Sequence, residues 1–231
     1  MKERPILFIG EMVRAILEGR KTQTRRIVKP QPNDAWTRQP VTVVDGKWSS
    51  AGCISDLRCP YGQVGDRLWV RETWRIVAWD EDDGTFKIEY CDSARSQWLH
   101  IPNDPDGEKF NDLWITICDE LDAMRVQPDE DGKYRWIPGE CPCRWRPSIQ
   151  MPHWASRITL EMTGLRVELL QEITEDDARA EGCLPTVEED GFITCGTRKT
   201  EFRKLIESIS APGSWDANPW VWVIEFKKVQ P

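Results

Sequence analysis

Eight consecutive residues, Gly19-Arg20-Lys21-Thr22-Gln23-Thr24-Arg25-Arg26, carry four cations, two hydroxyls and an amide. These residue types suit hydrolytic chemistry. Amide hydrolysis needs a nucleophile, a group that takes and returns a proton, and charge that steadies an oxyanion. Thr24 supplies a hydroxyl, which is inert without a base beside it. Lys21 becomes that base if desolvation and the neighbouring Arg25 or Arg26 depress its pKa; left charged, it steadies the oxyanion instead. A structural use is open too, because cations just after a helix interact well with its macrodipole. Glu72 is the matching acid. In the alternating run Arg67 to Ile76 it shares one strand face with Leu68, Val70 and Trp74. A carboxyl on an apolar face has its pKa raised, and near neutrality it protonates a leaving amine or activates water. Its structural alternative is an ion pair with Lys21 or Arg26.

Around these three stand candidate binding groups. The chain has 13 tryptophans, and a base stacked on an exposed indole gains about 1–3 kcal/mol. Trp74 is the first choice because it shares a face with Glu72; core packing is the competing use. Arg26 and Arg157 are suited to a phosphate or a carboxylate. Cys53, Cys59, Cys141 and Cys143 are the thiols to weigh as zinc ligands, although neither pair has the usual two-residue knuckle spacing. No phosphate-cradling Gly-x-x-x-x-Gly-Lys loop and no Gly-x-Gly-x-x-Gly occurs. The sequence therefore implies no nucleotide-driven or dinucleotide redox chemistry and no cofactor.

Several elements must position these groups. Pro5 to Ile9 is expected as a strand. Met12, Val13, Ile16 and Leu17 recur at helical spacing, with Gly19 as the stop and a polar loop over 20–26. Residues 28–60 are loop-rich, with a hairpin around Asp45-Gly46. The segment 80–140 is expected to hold short strands near 85–90 and 113–118 and long loops. Ser156 to Leu170 is a strand interrupted at Gly164. Thr174 with Asp177 three residues on marks a helix start, and Gly182 its end. A helix over 199–209 and a strand over Trp220 to Val229 complete an α+β chain.

Charge is uneven. The total is −8, yet Asp80 to Glu140 holds 17 acidic and 6 basic residues, a net of −11, which leaves the rest at +3. The negative total argues against a general polymer binder, whose affinity comes from clustered Lys and Arg. The acidic segment is a surface for a protein partner or simply a solvated face. The N-terminus lacks a signal-peptide core, and no apolar run reaches the roughly 20 residues a bilayer span needs. A cytoplasmic chain with no membrane partner and mostly free thiols is expected.

Four stretches together resemble the ASCH family of the PUA-like superfamily. They are the spacing Gly19-x-Lys21-x-x-Thr24-x-Arg26, the run Val64 to Trp74, the run Ile173 to Gly182 and the run Asn218 to Phe226. The stretch Trp145 to Arg157 is similar to phage or prophage versions. The resemblance implies a small PUA-like β-barrel with a few short helices. Its core would be about 1–28, 61–79 and 145–231, with loop-rich insertions at about 29–60 and 80–144. It further implies a modified nucleoside or a short RNA or DNA segment as the ligand. One bacterial branch is similar to amidohydrolases that deacetylate N(4)-acetylcytidine, and the matching catalytic positions are Lys21, Thr24 and Glu72. Three readings follow: a hydrolase acting on an acylated cytidine-type nucleoside or base, a non-catalytic RNA or modified-base binder, and a phage accessory protein that binds a host protein through residues 80–140.

Overall fold

One of the most apolar described strands lies inside the five-stranded sheet, with a paired strand on each side. Trp220–Val229 is apolar at both alternations over its first five residues, which suits a strand covered on both faces. The structure, a computed structural model, describes residues 1–32, 42–44, 47–50, 53–55, 58–91, 93–137, 139–185 and 197–229, with backbone alone for 42–55 and 93–95. Contacts divide the chain into two compact units. The first comprises Met1–Ile6, Arg14–Trp69 and Ile158–Pro231; the second comprises Leu7–Val13 and Val70–Arg157.

In chain order the elements begin with β1 (Glu3–Leu7), α1 (Gly10–Leu17) and β2 (Gln23–Ile27). Next come β3 (Thr42–Val44), β4 (Lys47–Ser50) and β5 (Cys53–Ser55). Then follow β6 (Arg67–Arg71), β7 (Trp74–Asp80), β8 (Thr85–Tyr90), β9 (Ser93–His100) and α2 (Glu108–Ala123). The last are β10 (Thr159–Leu169), α3 (Glu175–Ala180), α4 (Arg198–Ile209) and β11 (Trp220–Val229).

The first unit is built on a five-stranded sheet of order β1-β6-β10-β11-β2. Among the described residues this sheet is open, with β1 and β2 as its edges. Strand β10 runs antiparallel to β11 from Thr159↔Val229 to Leu169↔Trp220, and a bulge falls between Met162 and Gly164, at the break expected there. Strand β2 pairs with the other side of β11, Gln23↔Glu225 to Ile27↔Val221. Helix α3 starts where expected. The Thr174 hydroxyl accepts the Asp177 N–H, and Asp177 reaches back to the Thr174 backbone, a capping box. Leu170, Ile173, Ala178, Phe202, Trp215, Val221 and Val223 form an apolar cluster beneath α3 and α4. A separate antiparallel meander, β3-β4-β5, has β3 and β4 on either side of Asp45-Gly46, so the hairpin is present, while those two turn residues lie outside the described residues.

The second unit has its own sheet, β7-β8-β9, and its own core. Here the structure corrects two expectations. First, Arg67 to Ile76 is two strands. Strand β6 belongs to the five-stranded sheet and β7 to the three-stranded one, and the break falls at Glu72-Thr73. Second, the strand expected near 113–118 is the middle of α2. The β-branched run Trp114-Ile-Thr-Ile117 favours a strand locally, but Phe110, Ile117 and Leu121 recur at helical spacing and are the residues buried. No described helix is long and apolar enough to cross a membrane.

Candidate functional site

The polar stretch after α1 is not a solvated loop. Its second half is strand β2, and its first half is pinned by backbone bonds. The Ala15 carbonyl accepts N–H groups from both Arg20 and Lys21, at 2.8 and 3.0 Å. Thr22 N–H donates to the Ala180 carbonyl at 2.8 Å, and the Thr22 carbonyl accepts the Phe226 N–H at 2.9 Å. Lys21 is thus held between the end of α3 and the edge of β11. Gly182, at φ +91°, permits the approach: a Cβ there would lie 3.0 Å from Ala15 Cβ and 3.2 Å from Lys21 Cβ.

Burying so many polar groups requires counter-charges, and the first unit supplies them. The Lys21 ammonium donates to a carboxylate oxygen of Glu181 at 2.6 Å and to the Glu181 carbonyl at 2.9 Å. Both side chains are sealed from water, at 0% and 1% exposure. The other Glu181 oxygen takes Arg25 at 3.2 Å. Arg25 also binds Glu168, stands 3.4 Å from Asp177 and lies over the Phe202 ring. Arg166 extends the network to Glu168 at 3.0 Å, Asp177 at 2.8 Å and Glu225. Gln23 donates to Asp177 at 3.1 Å.

This network sets the electrostatics. Desolvation lowers the Lys21 pKa from its ordinary 10.5, while the attraction of Glu181 and its hydrogen bond oppose the fall. Desolvation likewise lowers Arg26, against the pull of Tyr61 and Glu181. Burial pushes Asp177 upward, but the hydrogen bonds from Thr174 and Gln23 and the charge of Arg25 outweigh it and hold the carboxyl at about 2. In β2 the alternation places Gln23 and Arg25 on the face of these acids and Thr24 and Arg26 on the opposite face. Thr24 is buried, in register with Ile224 of β11.

Glu72 belongs to the second unit. Arg157 grips it with a two-pronged fork, Nε to Oε1 at 3.0 Å and Nη2 to Oε2 at 2.6 Å. The guanidinium lies over the Tyr90 ring, 4.1 Å from its centroid. Tyr90 donates its hydroxyl to the Ala155 carbonyl, and burial together with the Glu72 charge pushes its pKa up. Glu72 N–H points at the Met151 sulfur at 3.2 Å. The strand break at Glu72-Thr73 therefore delivers the acid to Arg157. Trp74 is 3% exposed, inside the apolar core of this unit, edge-on to Trp154 and beneath Arg146. Its face is not open for a base to stack on.

Of the thiols, Cys141 and Cys143 share a hydrogen bond and titrate as a pair. That bond stabilises one thiolate, so Cys141 is drawn down to about 7 and Cys143 is pushed up. Burial raises Cys59 to about 11. The Cys53 side chain lies outside the described residues. Among the described residues, no three His, Cys, Asp or Glu side chains cluster as a metal site would require.

Sequence reasoning missed Glu181, the carboxylate at Lys21, and the acids Glu168 and Asp177 around Arg25. The signal existed. Glu181-Gly182 closes a helix whose capping box was legible, and a helix returning its C-terminus to a lysine-bearing segment brings an acid with it. Comparison with protein-family models, with curated proteins and with solved structures found no match.

Proposed function

We propose that the chain handles a modified cytidine-type nucleoside or base as a PUA-like protein of the ASCH type, and that it hydrolyses an acyl amide. The observation that carries this reading is the Lys21 ammonium. It is wholly buried, desolvation lowers its pKa, and one carboxylate, Glu181, lies 2.6 Å from it. Desolvation moves the amine in the direction that a general base requires. In the proposed reaction water adds to the acyl carbon, the C–N bond breaks, and the products are a carboxylic acid and the free exocyclic amine. Thr24 or a water attacks, Lys21 assists as the base once its sealed pair with Glu181 opens to the ligand, and a carboxyl group returns a proton to the leaving nitrogen. Glu72 is the sequence's choice for that acid; Glu181 is the carboxylate seated at Lys21. The barrel closure and the ligand are parts of the same proposal.

The test is turnover of N(4)-acetylcytidine by the wild type and by Lys21→Ala, Thr24→Ala, Glu72→Gln and Glu181→Gln, with folding checked by circular dichroism. Loss of about a hundredfold or more at Lys21 and Thr24 and at one of the two acids supports the reading and names the acid. Unchanged turnover in all four, or none in the wild type, defeats it.

A second reading, a non-catalytic RNA or modified-base binder, is favoured by one cavity of the first unit. A recess of about 610 Å³ is lined by Arg20, Arg179, Arg198 and Thr22, with Asp176 as its acid. Arg20 is held by Glu18 and the Gly182 carbonyl. Three guanidinium groups at one recess suit phosphate oxygens. Affinity for RNA that falls steeply with salt marks this reading.

A further inference from the structure

The second unit holds a different cavity, and its chemistry is opposite in sign. A recess of about 690 Å³ lies between the β7–β8 turn, α2 and the turn at 129–136. Its walls are aromatic: Trp79, Trp114, Tyr134 and Trp136. The rings are set at steep angles to one another. Trp79 and Tyr134 meet at 6.0 Å and 63°, Trp79 and Trp136 at 5.9 Å and 60°. Asp80, Glu81 and Asp82 complete the lining along the β7–β8 turn.

These rings are fixed rather than loosely packed. A bulge between Ile76 and Ala78 leaves Val77 outside the β7–β8 register, and its carbonyl accepts the Trp136 indole N–H at 3.1 Å. The Tyr134 hydroxyl donates to Asp122 at 2.9 Å. Elsewhere in this unit an aromatic face is paired with a cation: Arg75 with Trp145, Lys87 with Trp98, Arg146 with Trp74, Arg157 with Tyr90. Among the described residues no lysine or arginine lies over Trp79, Tyr134 or Trp136. Lys133 and Arg135 border the recess, but Arg135 is bound to Asp129 at 2.6 Å and reaches Asp131 at 3.6 Å.

Angled aromatic faces attract a cation through their quadrupoles, most strongly when the cation is a weakly hydrated alkylammonium or guanidinium. The lining carboxylates Asp80, Glu81 and Asp82 add the matching sign, and neutral or anionic ligands gain nothing from them. We propose that this recess is a binding site for an organic cation, an alkylammonium or guanidinium group. It is independent of the hydrolytic reading and shares no residue with it.

Isothermal titration of the full chain with choline, and with its neutral isostere 3,3-dimethyl-1-butanol, tests the charge requirement. Trimethyl-lysine and arginine amides, free and within a short glycine peptide, distinguish a small ligand from a side chain carried by another protein. The expected result is millimolar or tighter binding of the cations and at least tenfold weaker binding of the isostere. Trp79→Leu should weaken the cation about tenfold. Glu81→Gln with Asp82→Asn changes only exposed carboxylates, leaves the fold intact, and should weaken the cation threefold or more at low salt. Tighter binding of the peptide forms assigns the site to a protein partner; equal binding assigns it to a small molecule. Equal affinity for cation and isostere, unchanged affinity in the carboxylate variant, or no binding of any cation overturns the proposal.

Discussion

Replacing Glu181 by Gln keeps the shape of the side chain and removes its charge. Lys21 then loses the carboxylate at 2.6 Å, while Arg25 retains Glu168 and Asp177. Removing one partner of a buried ion pair costs about 3–5 kcal/mol. The sign of the pH dependence follows from the protons. The Lys21 pKa in the folded chain already lies below 10.5, and Glu181 is what holds it up. Without Glu181 it falls further. Between that lower value and 10.5 the unfolded chain binds a proton that the folded chain does not, so stability rises with pH in this window. The slope is at most about 1.4 kcal/mol per pH unit. The defect of Glu181→Gln is therefore largest at neutral pH and shrinks toward pH 10. Lys21→Met is the control. It removes the ammonium and leaves Glu181 bound to Arg25, so the loss should be less than half as large, without the slope. Urea unfolding at several pH values measures both, and hydrogen exchange of the β10 and β11 amides assigns the loss to that sheet. A Glu181→Gln penalty below about 1 kcal/mol, flat with pH, would refute the reasoning, because it would mean that Lys21 is hydrated.

Three further changes follow from the geometry. Gly182→Ala should cost about 2 kcal/mol in a thermal melt, since the positive φ and the nearby Ala15 and Lys21 Cβ atoms leave no place for a methyl group. Arg157→Lys keeps the charge but breaks the fork on Glu72, and should cost about 1.5–3 kcal/mol by urea unfolding, with Arg157→Met costing more. Thiolate absorbance should show one proton leaving the Cys141–Cys143 pair near pH 7, and Cys143→Ala should return Cys141 toward the ordinary thiol range.

What the sequence disclosed was local. The start of α3 was legible because Thr174 and Asp177 satisfy each other within one turn. The bulge at Gly164 was legible because only a glycine leaves room for the Glu225 side chain opposite. Strand β11 was legible because Trp220, Trp222, Ile224 and Phe226 alternate with Val221, Val223 and Glu225. What the sequence withheld was long-range. Gln23 to Ile27 looks like a solvated loop until the acids of β10 and α3, more than 140 residues later, neutralise it. The break at Glu72-Thr73 was hidden because Val70 and Trp74 keep the alternation going across it, while the two halves pair with different sheets. Helix α2 was hidden because its β-branched middle favours a strand, and only the distant burial of Phe110 and Leu121 decides otherwise. At the candidate site, Lys21 and Thr24 stood out by type, whereas the acid seated at Lys21 was signalled only indirectly, by the end of the helix that carries it.

The register of β11 bears on how the protein is made. Its neighbours β2 and β10 lie far apart in the chain and do not pair with each other. During synthesis β2 leaves the ribosome first and waits, without its pairing strand, until residues near 225 have been translated. At about 5–20 residues per second that wait lasts roughly ten seconds or longer. Meanwhile residues 70–157 emerge with all three strands of their own sheet in hand. A nascent chain stalled before residue 220 would thus carry a finished second unit beside an unfinished first one, its β2 edge bare to any chaperone that reads exposed strands.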